Sequence, residues 1–247
     1  MTKKIIVLGA LSAVAIATAR RFAAQGAALA LAARRTDELE ILAADLRARG
    51  GATVATFPGD LAAASDPTLA LDEMIAALGG VDIIVLAYGA LTDQARAATD
   101  LDYARDQLTT NFTSAGLWAL AAARRLEDQN KGVLIVVGSV AGDRGRASNY
   151  VYGAAKAGLA VLTQGLAHRL AAGGARAVII KPGFIDTPMT AHLPKGGPLW
   201  AKPEAIAAVI EKASQKSGPV VYAPWFWRFI LLIIRLVPAF VFHRTKL

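Results

Sequence analysis

Cysteine is absent from this sequence of 247 residues. A disulfide scaffold and a cysteine-based zinc site are therefore excluded. Histidine is scarce: His168, His192 and His243 stand far apart, with no carboxylate cluster at metal-ligand spacing, so no metal site is expected. Only 19% of the residues are charged, against 55% hydrophobic. That excludes disorder, because so apolar a chain can bury enough surface to offset its ordering entropy. Residues 1–224 carry no Ser/Pro-rich linker, composition shift or internal repeat, which points to one large domain with residues 225–247 as an appendage. The first apolar run, Ile5-Ile6-Val7-Leu8, is too short for a signal-peptide core and reads as a buried strand.

Acid is missing from the end of the chain. Lysine plus arginine exceed aspartate plus glutamate by 27 to 19, a net charge of +8. No acidic residue follows Glu211, whereas Lys212, Lys216, Arg228, Arg235, Arg244 and Lys246 do, leaving +2 on residues 1–211. A nucleic-acid partner is not expected, because the basic residues form no aromatic-interleaved patch on a recognisable module.

From Trp225 to Phe242 the sequence reads WFWRFILLIIRLVPAFVF. As a helix this segment would reach about 27 Å, barely a bilayer core. Arg235 would cost about 2.5–3.5 kcal/mol at mid-membrane, and Pro238 would kink the helix. A helix lying in the membrane interface fits better. Arg228 and Arg235, two turns apart, share a face, and Trp225, Trp227, Phe229 and the Leu/Ile run cover the rest. The alternative is a tail folded over an oligomer interface or the substrate pocket. The expected location is cytoplasmic, peripheral to the inner face of the membrane.

In the body, short apolar runs at 4–8, 28–33, 52–57, 81–87, 132–138, 175–181 and 219–223 read as strands. Helices are expected at about 12–25, 36–49, 67–78, 101–128, 150–172 and 202–216. Strands separated by helix-length segments imply an α/β fold: a doubly wound parallel sheet of seven strands with helices on both faces. Burial on both faces explains why the strands are continuously apolar.

Strand 1 ends at Gly9 and runs into Leu11, Ser12 and Val14 at a helix start, where helix-end N–H groups receive an anion. A dinucleotide fingerprint is glycine-rich here; this sequence has Ala13 and Ala15, and alanine disfavours positive φ. An ordinary tight turn is the alternative. Strand 2 ends at Arg34-Arg35. An acid there would bond a ribose 2′-hydroxyl, and arginine accommodates a 2′-phosphate, which favours NADP(H) over NAD for a bound dinucleotide. A solvated basic pair at a helix start is the other reading. Asp60-Leu61 follows strand 3, placed for an adenine amine or for a helix cap.

The sharpest signal spans 139–156. Ser139 ends the strand GVLIVVGS, Tyr152 follows, and Lys156 lies one helical turn beyond Tyr152. A cation one turn away favours the phenolate and makes tyrosine a usable acid or base, while the serine hydroxyl can bind the same carbonyl oxygen. Tyr150 has Ala154, not lysine, four residues on, and is expected to line the pocket.

These residues, with Asn111 in LTTNFTSAG and Pro182-Gly183, Ile185 and Thr187 in KPGFIDTPM, resemble the short-chain dehydrogenase/reductase family from about residue 4 to 223. The resemblance implies that Tyr152 donates the proton in ketone reduction. Lys156 would lower its pKa and bind the nicotinamide ribose, and Ser139 would orient the carbonyl. Asn111 would hold a relay water. The 182–187 segment would bind the nicotinamide carboxamide and pyrophosphate, and Gly9, Asp60 and Leu61 the rest of the cofactor. His192 falls in the segment where the family carries a substrate lid. Two departures stand out: GALSAVA for the glycine-rich turn, and Leu86-Ala87-Tyr88-Gly89 where the family carries Asn-Asn-Ala-Gly. The second removes amides that tie the central strands, with Ala87 and Gly89 still expected beside the cofactor.

The strand-4 end and the tail are similar to those of bacterial reductases related to decaprenylphosphoryl-2-keto-ribose reductase, which implies a lipid-linked, anionic substrate. A soluble reductase of 3-oxoacyl, steroid or small-ketone substrates and a non-catalytic NADP(H)-binding scaffold are the alternatives. The resemblance also implies a homodimer or homotetramer through the helices at 101–128 and 150–172. Trp118, on the helix that carries Asn111, is expected to pack.

Overall fold

The computed structural model describes residues 2–64, 66–191 and 194–245. The chain begins β1 (Lys4–Leu8), α1 (Ala13–Ala23), β2 (Ala28–Ala33), α2 (Thr36–Ala48), β3 (Thr53–Pro58), α3 (Pro67–Leu78) and β4 (Ile83–Leu86). Next come α4 (Gln94–Ala97) and α5 (Leu101–Leu108), which runs through a π-helical turn, Thr109–Thr113, into α6 (Ser114–Asp128). After β5 (Gly132–Val137) come a 3₁₀ turn at Val140–Asp143, α7 (Tyr150–Leu170) and β6 (Ala175–Pro182). A two-stranded ribbon of β7 (Phe184–Ile185) and β8 (Trp200–Ala201) precedes α8 (Pro203–Gln215) and β9 (Val220–Ala223). The tail folds into α9 (Trp227–Leu236) and α10 (Ala239–Phe242).

The main sheet has seven parallel strands in the order β3-β2-β1-β4-β5-β6-β9. The doubly wound fold read from the sequence is what forms. Its apolar runs divide by parity. Ile5 and Val7 of β1 join Leu29, Leu31, Ile83 and Val85 in one core under α1, α2 and α8. Ile6 and Leu8 join Ile84, Leu86, Leu134 and Val136 in a second core under α3, α6 and α7. Successive side chains point to opposite faces, so a strand covered on both sides shows no polar alternation. In β2 the face toward α3 and α6 is Ala28, Ala30 and Ala32, small enough for helices to approach closely.

Helix starts follow ordinary capping chemistry. Ser12 Oγ accepts from the Ala15 N–H, Asp66 caps α3 ahead of Pro67, and Asp100 caps α5. Strand order reverses between β1 and β4, so their carboxyl ends flank the crevice where ligands bind in open α/β sheets. A cavity of about 730 Å³ lies at the opposite, amino-terminal edge, lined in part by Lys3, Lys4, Asp82 and Arg176. It is remote from the residues singled out by the sequence. Among the described residues no helix is long and apolar enough to cross a membrane.

Candidate active site

The turn after β1 is built around Gly9. Its φ of +83° suits glycine, and a Cβ there would lie 2.5 Å from that of Tyr88. Ala13 and Ala15 lie within α1. The non-glycine residue with positive φ among those described is Asn130, so neither alanine needs the conformation that glycine supplies. The first turn of α1 carries no acid. The cradle, with Leu11, Ser12 and Val14 around a helix start that Ser12 caps through the Ala15 N–H, therefore fits a pyrophosphate without strain.

At the end of β2, Arg34 and Arg35 are both exposed. Arg35 pairs with Glu38 at 2.6 Å. At the end of β3, Asp60 Oδ1 accepts from the Ala62 N–H at 2.9 Å and so closes a local turn; it caps no helix, since α3 begins at Pro67 behind Asp66.

The departure at the end of β4 has a structural replacement. The Tyr88 hydroxyl lies 2.6 Å from Ser114 Oγ, which donates at 2.8 Å to the Leu61 carbonyl. Trp118 Nε1 donates to the same carbonyl at 3.0 Å, from a buried position that makes it a packing residue. A phenol and an indole thus tie the end of β4 to α6 and the Leu61 loop, at the place where the resembling family carries amides. Burial is the main reason the Tyr88 pKa is raised.

Asn111 sits in the π-helical turn, a feature that is frequent at functional sites. The side chain is fully buried. Nδ2 donates to the Ala90 and Gln107 carbonyls, and Oδ1 accepts from the Ala90 N–H, each at 3.0 Å. The side chain is thereby anchored to backbone. Gly89 lets the chain pass close by: a Cβ there would lie 2.7 Å from Asn111 Oδ1 and 3.2 Å from Lys156 Nζ.

Ser139 caps the 3₁₀ turn after β5. Its Oγ accepts from the Ala141 N–H at 3.1 Å, which leaves its own proton to donate. Gly142 in that turn permits direct contact with α7, since a Cβ would lie 2.7 Å from the Ala157 nitrogen. This brings Tyr152 opposite Ser139. Burial raises the Tyr152 pKa, and the neighbouring Ser139 hydroxyl opposes the rise. Lys156 is buried, its Nζ 5.7 Å from the Tyr152 ring centroid, and burial lowers its pKa to about 8. Desolvation therefore governs Tyr152, where the spacing and the resemblance implied a phenol acidified by the lysine.

Pro182 ends β6 and Gly183 follows it, Ile185 pairs with Ala201 in the ribbon, and Thr187 starts a short 3₁₀ turn. Every residue expected at the cofactor thus lies at the carboxyl edge of the sheet, with the four residues that the resemblance implies are catalytic. Tyr150 opens α7 and is 46% exposed. His168 and His243 are exposed, and His192 lies outside the described residues.

The sequence reading did not foresee Trp227, which is buried against Gly183, with its ring edge-on to Phe184 at 5.6 Å between centroids. Phe184 stacks in turn on Trp200 at 5.3 Å. The signal was the aromatic triplet two residues after β9, for which packing over the substrate pocket was the alternative to the membrane. Nor did it foresee Gln94, which opens α4, and Asn149, which precedes α7. Their Nε2 and Oδ1 atoms are buried with no hydrogen-bond partner among the described residues, and Gln94 Oε1 accepts from the Val151 N–H.

Residues 3–197 match the family described as short chain dehydrogenase. The chain is 41% identical over 244 residues to an uncharacterized oxidoreductase of Mycobacterium tuberculosis, covering 97% of this chain and 96% of that protein. It is 33% identical over 211 residues to a 3-oxoacyl-[acyl-carrier-protein] reductase of Homo sapiens, covering 83% and 87%. A crystal structure of a short-chain type dehydrogenase/reductase from Mycobacterium marinum superposes with a TM-score of 0.80 at 27% identity, covering 91% of this chain and 95% of that one. The chain belongs to the short-chain dehydrogenase/reductase family of oxidoreductases, whose members bind a nicotinamide cofactor.

Proposed function

We propose that this oxidoreductase is an NADP(H)-dependent carbonyl reductase acting on a lipid-like or lipid-linked ketone. The observation that carries the reading is the convergence of Ser139, Tyr152, Lys156 and Asn111 at the carboxyl edge of the sheet, beside a strain-free anion cradle. A reduced nicotinamide held there would supply the hydride for the carbonyl carbon. Ser139 positions the carbonyl oxygen, and Tyr152 delivers its phenolic proton to that oxygen, completing the alcohol. Lys156, held with Asn111 against Gly89, stabilises the phenolate left behind. Gly9, the α1 start, Pro182, Gly183 and Thr187 would hold the cofactor.

Arg34 is the favoured partner of a 2′-phosphate, because Arg35 is engaged by Glu38. Steady-state rates with NADPH and NADH test the cofactor assignment. Arg34→Gln is expected to raise the NADPH KM about tenfold, the loss of one charge-assisted contact, and to leave that for NADH unchanged. A wild-type preference for NADH would overturn it.

The lipid-like substrate is supported by the packing of the apolar tail on the 3₁₀ turn that follows Ser139. It is supported too by the likeness of the tail to that of decaprenylphosphoryl-2-keto-ribose reductase-like enzymes. A second reading, reduction of a 3-oxoacyl thioester, is favoured by the 3-oxoacyl reductase relative. Exposed Leu117, Leu120 and Val161 on α6 and α7 support a homo-oligomer through those helices.

A further inference from the structure

The tail has two apolar faces. The inner one is pinned. Trp227 and Leu231 are buried with Val140 and packed by Tyr222, Ile230 and Ile234. Arg144 donates to the carbonyls of Ile234, Arg235 and Val237, closing the end of α9, and its guanidinium stacks 3.8 Å above the Phe242 ring. Behind them Asp143 accepts from Lys181 at 2.5 Å and from the Tyr222 hydroxyl at 2.6 Å. The helix is thus held in one rotational setting.

That setting turns the other face to solvent. Trp225, Phe229, Leu232, Ile233, Leu236 and Phe240 are each more than half exposed. A contiguous apolar face of this kind marks an interaction site. Arg228 and Arg235, two turns apart, lie together on one flank, and Arg244 follows α10; all three are exposed.

We infer that this outer face of α9 and α10 docks flat on an anionic lipid bilayer. Charge selects this occupant. No acid follows Glu211, so the face carries only positive charge. A symmetric pairing of two copies would set the same arginines against one another with no acid to neutralise them. Length selects the orientation: the ten residues of α9 extend about 15 Å, half a hydrocarbon core, so the helix lies in the interface and does not enter as a span. Tryptophan and flanking arginine suit that depth. Because α9 rests on the turn after Ser139, docking presents the site to the bilayer surface. That last consequence, delivery of a lipid-borne ketone, rests on the reductase reading; the docking does not.

The test is cosedimentation of the full chain with phosphatidylcholine vesicles, with and without phosphatidylglycerol. Three arginines near the surface are expected to favour the anionic vesicles about a hundredfold at low salt. The doubly substituted chain Phe229→Glu, Ile233→Glu changes only exposed positions. It is expected to lose vesicle binding at least about tenfold while its thermal unfolding and its NADPH oxidation with a water-soluble ketone stay as in the wild type. Wild-type protein that stays in the supernatant with every vesicle, or a double variant that pellets equally well, overturns the proposal. So does a wild-type oligomer that the double variant dissociates while vesicle binding is absent in both. Vesicle binding without ketone reduction leaves the docking standing and removes the reductase reading.

Discussion

Trp227 of the tail occupies the space that a side chain on Gly183 would need: a Cβ added to Gly183 would overlap the indole Nε1. The end of the chain is thereby locked against the loop proposed to hold the nicotinamide. Gly183→Ala should displace α9, costing about 1–3 kcal/mol as overpacking. In a domain of this size that lowers Tm by several degrees, about 2–4 °C per kcal/mol. Combining it with Trp227→Ala should recover part of the loss. A thermal double-mutant cycle reads this coupling directly, and strictly additive effects would show that the two residues do not share that space.

Lys156 should be a stability liability. Its folded pKa of about 8 lies below the ordinary lysine value of 10.5. The folded protein therefore binds fewer protons than the unfolded chain between those pH values, and stability rises with pH across that window. Below pH 8 the full penalty applies, on the order of 3 kcal/mol. Lys156→Met should raise the ligand-free Tm at pH 7 by several degrees and abolish turnover. The gap between wild type and variant should narrow as the pH passes from 8 toward 10.5, as scanning calorimetry over that range would reveal.

Asp143 is 1% exposed and holds both Lys181 and Tyr222. Burial and the adjacent carboxylate together raise the Tyr222 pKa. Asp143→Asn leaves the Lys181 ammonium, 10% exposed, without its counter-ion, an expected loss of about 3–5 kcal/mol. Lys181→Met in the same chain should restore much of it. Urea denaturation of the two variants distinguishes this from a simple packing defect, in which the second substitution would only add to the first.

The strands were legible because burial on both faces leaves long apolar runs, and their parallel, doubly wound arrangement followed from the βαβ spacing. The Ser139-Tyr152-Lys156 set was legible because its spacing is local. Three features were not. The break in the helix spanning 101–128 comes from one extra residue in a turn, Thr109–Thr113, which leaves no mark on hydrophobic periodicity. The β7–β8 ribbon pairs two residues with two, too few to show a pattern. In the tail both faces of α9 are apolar, so periodicity cannot say which face meets Gly183 and Val140; that depends on a glycine more than forty residues away in sequence. Tyr88 belongs with these. Its tie to Ser114 and Leu61 replaces a familiar amide by a different chemistry at the same place.

The central claim is that the Tyr152 phenol delivers the proton in carbonyl reduction. Tyr152→Phe keeps the ring beside Lys156 and removes only the hydroxyl. NADPH titration should give a dissociation constant within about twofold of wild type, because the Tyr152 ring and the other residues proposed to hold the cofactor are retained, while ketone-dependent NADPH oxidation should fall by about 10²–10⁴, the range of a general acid. A variant that binds NADPH equally well and turns over ketone within about tenfold of the wild-type rate would contradict the account.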